Sequence, residues 1–130
     1  MAPERLRAWT ISVSLASVPF IVPHVFEDFE EGMAQRIGLS TGVGAFLLGG
    51  YLALQFLGLL LLARGKPAGF SVTFWVGLIW VVGALVDHGP QLLVGHFRTG
   101  PASVLWVVGL IVAQATSSFL AWWGYRSQKA

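Results

Sequence analysis

Four long apolar runs divide the chain and are separated by short segments that carry most of its charge. Each run is roughly 20 residues long, which is enough for a helix to cross a hydrocarbon core of about 30 Å. Because lipid offers no partner for backbone N–H and C=O groups, each run should be a helix that satisfies its own hydrogen bonds. The pattern therefore predicts an all-α integral membrane protein, a four-helix transmembrane bundle that forms one domain over residues 1–130. The predicted helices span about Ala8 to Val25, Val43 to Ala63, Phe70 to Val86, and Ala102 to Trp123.

The amino-acid composition agrees with a membrane protein. Hydrophobic residues make up 55% of the chain, charged residues only 11%, and the mean hydropathy is +0.73, which is more apolar than soluble domains usually are. The chain has no cysteine, which excludes disulfides, iron–sulfur clusters and thiolate metal sites. Its pI of about 9.5 does not indicate nucleic-acid binding, because the basic residues are dispersed along helix ends rather than gathered in a patch.

The positions of the basic residues predict how the helices are oriented. With four crossings, six of the eight lysines and arginines fall on one side of the membrane, and only Arg36 and Arg98 fall on the other. By the positive-inside rule both termini are cytoplasmic, in the cell (inner) membrane, and the loops after the first and third helices face outward. Those outer segments carry every histidine and every acidic residue except Glu4. The six inner basic residues are Arg5, Arg7, Arg64, Lys66, Arg126 and Lys129.

The segment that follows the first run, VPHVFEDFEEG at residues 22–32, contains the strongest chemical signal. A short interfacial helix is predicted to begin near Pro23 and to turn its aromatic side toward the lipid headgroups. On its other side His24, Glu27, Asp28 and Glu31 fall at i, i+3, i+4 and i+7. Histidine with carboxylates and no thiolate is typical of iron, manganese or zinc sites. The alternative interpretation is a solvated acidic face that keeps this loop in water.

A second pair of ligand-type residues lies at the predicted outer end of the third helix. Asp87 and His88 precede Gly89-Pro90, which is expected to end that helix. A carboxylate at that position opposes the helix dipole, so Asp87 should have either an arginine partner, Arg36 or Arg98, or a share in a metal site. The two segments together predict one outward-facing metal or ligand site made of His24, Glu27, Asp28, Glu31, Asp87 and His88.

Small residues recur every four positions in two of the helices and predict close helix contacts. Polar side chains within the runs, such as Gln55 and Gln114, are expected to bond across the interior. Similar spacings of histidine, arginine and small residues in the two halves indicate a weak repeat of two helices per half. The small-residue stripes favour association with other membrane subunits or self-association. They comprise Ala45, Gly49 and Ala53 in the second helix, and Gly109, Ala113 and Ser117 in the fourth.

These features predict a small membrane protein that binds a metal or ligand through its outer histidine and carboxylate cluster, within a larger membrane assembly. One alternative is a purely structural accessory subunit. Another is a haem or pigment binder with His24 and His88 as axial ligands. The gross architecture also resembles that of small four-helix membrane enzymes that bind sterol-like ligands between carboxylates, which implies a small enzyme with a lipid-like substrate as a further alternative. The sequence leaves open whether the protein is an enzyme.

Overall fold

A computed structural model describes residues 2–95, 97 and 100–128, and all regular secondary structure in these residues is α-helical. Four stretches are long and apolar enough to cross a membrane, which confirms the prediction of an all-α protein with four spans. The helices are α1 Pro3–Ala16, α2 Val18–Glu30, α3 Met33–Arg36, α4 Thr41–Ala63, α5 Ala68–Val94 and α6 Pro101–Ser127.

The first span is longer than predicted, because α1 and α2 are separated only by Ser17 and form one 28-residue stretch. Pro19 lies in the first turn of α2, where its missing N–H leaves no helical hydrogen bond unmade. Pro23 lies inside α2, and the helix continues through it to Glu30. The prediction that a separate helix begins near Pro23 is therefore wrong, because residues 23–30 continue the first span. The short helix in the loop after this span is the single turn of α3, and His24 belongs to a helix that is long and apolar enough to cross a membrane rather than to that loop.

The third span also runs past its predicted end. Gly89 and Pro90 do not stop α5, which continues to Val94 and ends at Gly95 in the left-handed conformation, with φ of 68°. Transmembrane helices tolerate proline because neighbouring groups satisfy the carbonyl that it frees. Asp87 and His88 consequently lie about two turns before the end of α5, so the helix dipole does not require a partner for Asp87.

The helices pack unevenly around α6. This helix packs against α5, α1 and α2, whereas α4 packs chiefly against α5. The short α3 bridges α2 and α4, and these two helices are not themselves among the closely packed pairs in the described part of the chain. We call the end of the bundle that contains α3, the last turns of α2 and α5 and the first turn of α4 the α3 end. A gap between α2 and α4 opens there beneath α3.

The small-residue stripe predicted on the fourth span faces the inside of the bundle. Ser117 is fully buried and Ala113 is half-buried. A Cβ built on Gly109 would overlap the ring of Phe20 on α2. Because a larger residue at this position would push the ring away, the contact between α2 and α6 depends on the absence of a side chain.

The stripe predicted on the second span faces away from the bundle instead. Ala45, Gly49 and Ala53 are exposed, and a Cβ built on Gly49 would meet no atom within 4 Å. The side of α4 that faces the other helices carries Gln55 and Gly58, both of them buried. The stripe therefore makes no close contact inside the described chain, and its contact with another chain stays a prediction.

A buried network of polar side chains joins all four spans near the middle of the bundle. Gln55 of α4 donates to Ser14 Oγ of α1 at 3.2 Å and accepts a hydrogen bond of 2.9 Å from the Trp80 indole of α5. Gln114 of α6 donates to Ser17 Oγ at 2.7 Å. These bonds confirm that Gln55 and Gln114 bond across the interior. Because an unmet polar group is unfavourable in an apolar interior, the network limits how far each span can rotate.

The network also fixes the rotation of two helices about their axes, and with it the side of each helix on which a histidine lies. Ser17 precedes His24 by seven residues, which places both on the same side of the first span. Trp80, Ala84 and His88 follow a four-residue spacing on α5, and all three are buried. The network thereby helps to direct His24 and His88 toward the interior at the α3 end.

Candidate metal centre

Two helices bring three ligand-type side chains together at the α3 end. His24 and Asp28 are one turn apart on α2, and His88 comes from α5. Asp28 lies between the histidines, with its Oδ2 3.4 Å from His24 Nε2 and its Oδ1 3.2 Å from His88 Nε2. The imidazole rings meet edge to face with centroids 4.8 Å apart. One ligand atom from each residue lies within 4.8 Å of the other two, so this His-Asp-His group (His24, Asp28 and His88) is able to hold a metal ion.

The group is buried. His24, Asp28 and His88 are 4%, 6% and 7% exposed, respectively, and the ring of Phe97 stacks on His88 with centroids 6.0 Å apart. Burying ionisable groups is unfavourable unless they pair with each other or coordinate a metal. A solvated acidic face therefore does not describe His24 and Asp28.

The Nε2 atom of His88 is enclosed but lacks a hydrogen bond. Among the described residues it makes no hydrogen bond of good geometry, although carboxylate oxygens of Asp28 and Asp87 lie 3.2 and 3.4 Å away. A buried polar atom in this state is unfavourable. A cation between this nitrogen and the Asp28 carboxylate would satisfy it, since zinc and non-haem iron accept both kinds of ligand.

The other three predicted ligands surround the group without joining its compact centre. Glu27 and Glu31 are half-buried and, together with Asp28 and His88, line a cavity of about 30 Å³. A cavity of this size holds a water molecule or a small ion. Asp87 places its Oδ2 3.4 Å from His88 Nε2. The six predicted residues thus divide into a buried group of three and three flanking carboxylates.

Arg36 lies beside the site and contacts its rim. Its guanidinium is 3.6 Å from Asp87 Oδ1, and the two side chains are 47% and 35% exposed. An exposed ion pair of this kind adds little stability, but it connects α3 to α5. Arg98, the other predicted partner, and His96, the third histidine, lie outside the described residues.

Axial ligation of a haem by His24 and His88 does not fit this geometry. A macrocycle ligated by two histidines must lie between their nitrogens. The two rings are instead in direct edge contact and share the Asp28 carboxylate. The structure therefore does not support the haem or pigment alternative.

Two side chains that shape the site are absent from the sequence predictions. Phe97, which covers His88, follows α5 in a segment without any periodic pattern, so no signal in the sequence indicates its role. Trp80 lies two turns before His88 on the buried side of α5. Its spacing of eight residues from His88 is a signal that would have indicated a shared face.

No family model, curated protein or solved structure matches this chain. A shared four-helix architecture would in any case not assign a function, since such bundles host many unrelated activities. The functional interpretation therefore depends on the chemistry of the His-Asp-His group itself.

Proposed function

We propose that this protein binds a divalent transition-metal ion at the His-Asp-His group inside its membrane-spanning bundle. One observation carries the proposal: two imidazole nitrogens and a carboxylate oxygen from two different helices converge within 4.8 Å, and all three residues are buried. Exposed acids cluster in many proteins without binding a metal. Buried ligands from separate spans are different, because the bundle must compensate the unfavourable burial of each one.

The ligand set favours zinc or iron(II), with manganese as a harder alternative. Two histidines and one carboxylate, with open positions, form zinc sites and non-haem iron(II) sites. A tetrahedral ion with bonds of about 2.0–2.2 Å holds its ligand atoms about 3.4 Å apart. With one ligand atom taken from each residue, the atoms of the His-Asp-His group lie within 4.8 Å of one another, so side-chain adjustments alone would bring them to this spacing. Glu27 and Glu31, which line the small cavity beside the group, would then accept the two hydrogen bonds that a bound water molecule donates.

Cobalt(II) titration of the purified, chelator-treated protein tests the proposal. We expect the wild-type protein to bind one ion per chain and to develop the visible absorption bands of cobalt with nitrogen ligands. Asp28→Asn should weaken binding by about 100-fold or more, because loss of a direct ligand should exceed the 10- to 100-fold effect of losing a group that only supports a ligand. The Asn side chain is nearly isosteric, so the fold should persist.

The matched control is Glu30→Gln, which removes a carboxylate from an exposed position on the same helix. This variant should bind cobalt as the wild type does. A wild-type protein that develops no cobalt band, or an Asp28→Asn variant that binds as tightly as Glu30→Gln, would overturn the metal proposal.

We further propose that both termini are cytoplasmic and that the α3 end faces outward. The positive-inside rule supports this orientation. The basic residues near the start of α1 and in the turn between α4 and α5 also lie at one end of the bundle, since a Cβ built on Gly65 would be 3.9 Å from an Arg7 guanidinium nitrogen. In this orientation the metal site opens toward the outside of the cell membrane.

Cysteine labelling in intact cells tests this orientation, and the natural absence of cysteine makes the background low. Gln35→Cys, on α3, should react with a membrane-impermeant thiol reagent, and Ala68→Cys, at the start of α5, should react only after the membrane is permeabilised. Both positions are exposed, so access and not burial determines the result. The reverse labelling pattern would place the metal site on the cytoplasmic side.

A further inference from the structure

A second, larger cavity adjoins the His-Asp-His group. It has a volume of about 320 Å³ and is lined by residues of α2, α3, α4 and α5. This volume lies at the lower end of the range for pockets that hold small organic ligands, about 300–1,000 Å³. The cavity is therefore large enough for the head of a ligand and a short part of its chain.

The walls of this cavity differ in chemistry. One part carries His24, Asp28 and Asp87, whereas Leu48 and Trp80 belong to the apolar remainder. Pockets with mostly apolar walls and a few convergent polar groups are typical of sites for organic molecules. A ligand that fits both walls must carry a polar group at one end and be apolar elsewhere.

The cavity occupies the gap between α2 and α4, beneath α3. Ile37, which lines it, is 67% exposed, and Gly83, which also lines it, is exposed as well. The cavity therefore reaches the surface of the bundle instead of being sealed. Because Ile37 and Gly83 at its edge are apolar, as are the long spans beside it, a lipophilic molecule would meet apolar surface on entering it.

We infer that this cavity binds a lipophilic molecule whose oxygen-bearing head group, a hydroxyl, carbonyl or carboxylate, coordinates the metal ion while its apolar chain lies against Trp80 and Leu48. The inference rests on the proposed metal function, because three protein ligands leave a coordination position for an exogenous oxygen. Two of these ligands, His24 and Asp28, themselves line the cavity. The site accordingly joins metal coordination to recognition of a lipid-like ligand.

Gly83 provides a way to fill the cavity without disturbing the metal ligands. It lines the cavity, and a Cβ built on it would meet no atom within 4 Å. Gly83→Leu should therefore place its side chain in empty space and reduce the cavity volume that is left for a ligand. Gly50→Leu is the matched control, because Gly50 on α4 is equally open but does not line this cavity.

The experiment measures binding of octanohydroxamate and acetohydroxamate to the cobalt-loaded protein, followed by the change in the cobalt absorption spectrum. Both probes offer the same metal-binding head, and only the first has an alkyl chain. We expect octanohydroxamate to bind the wild-type protein more tightly than acetohydroxamate. Gly83→Leu should weaken octanohydroxamate binding at least about tenfold, the effect of excluding two or more methylene groups from an apolar site, and should leave acetohydroxamate binding within about twofold.

Gly50→Leu should bind both probes as the wild type does, which controls for partition of the longer probe into detergent or lipid. Equal octanohydroxamate affinities in Gly83→Leu and Gly50→Leu would overturn the cavity inference while cobalt binding itself remained intact. A wild-type protein that takes up no cobalt would instead overturn the metal function. The two failures are thus distinguishable in one set of samples.

Discussion

Zinc at about 100 times its dissociation constant is expected to stabilise the wild-type protein by about 2.7 kcal/mol. The ion would join α2 to α5, whose ligands His24 and His88 are in edge contact and share the Asp28 carboxylate. These helices otherwise meet mainly through their common neighbour α6. Binding to the folded state alone shifts the unfolding equilibrium, so the melting temperature in detergent should rise with zinc and fall again when a chelator is added.

The test compares variants by the change in melting temperature that zinc causes, and not by the melting temperature of each variant alone. His88→Ala removes a direct ligand from the buried group and should show almost no shift, whereas Glu30→Gln should show the full wild-type shift. An equal shift in His88→Ala and in the wild type would mean that zinc stabilises the protein from another place, such as the exposed acids of the α3 end.

Gly77→Leu is expected to destabilise the protein by about 3 kcal/mol, at the upper end of the usual cost of overpacking a core. A Cβ built on Gly77 of α5 would overlap Ser118 Oγ of α6 and lie 3.1 Å from the backbone carbonyl oxygen of Gln114. The backbone of α6 cannot move away without breaking the hydrogen bond of 2.7 Å between Gln114 and Ser17. The measurement is the midpoint of thermal or denaturant unfolding in detergent.

The control for this prediction lies six residues further along the same helix. Gly83→Leu introduces the same side chain where a Cβ would meet no atom within 4 Å, and its stability should stay within about 0.5 kcal/mol of the wild type. Similar losses for the two variants would mean that glycine matters for the conformation of α5 itself and not for its contact with α6.

The burial of the site gives a physical reason to assign it a function. Two histidines and an aspartate lie in an interior whose other buried polar side chains, in the described part of the chain, are hydroxyls and amides that carry no charge. Polar groups in the middle of the bundle, such as Gln55 and Trp80, satisfy one another through hydrogen bonds. Three buried polar atoms find no such bond among the described residues, namely Thr73 Oγ1, Ser117 Oγ and His88 Nε2, and of the three only His88 is ionisable. Ionisable groups that are retained at such positions in membrane proteins usually mark a site for an ion, a proton or a substrate.

Much of the fold follows from the sequence alone. The four apolar runs determine four helical spans, because a chain in lipid must satisfy its backbone hydrogen bonds within each segment. The bonding of Gln55 and Gln114 across the interior follows for a similar reason, since a buried amide in an apolar run finds partners only on other spans. The chemistry of the ligands is also visible in the sequence, as two segments that combine histidine with carboxylate.

Only the tertiary structure decided which of these residues meet. Pro23 and Pro90 have the sequence signature of helix ends, but both lie inside helices, because packing in the bundle stabilises the continuing turns. His24 and Asp28 therefore enter the site from one span and His88 from another, at the same depth. Contacts with α6 set the rotation of those spans. These contacts join residues far apart in the chain, so no local spacing encodes them, and the cavity beside the ligands depends on them in the same way.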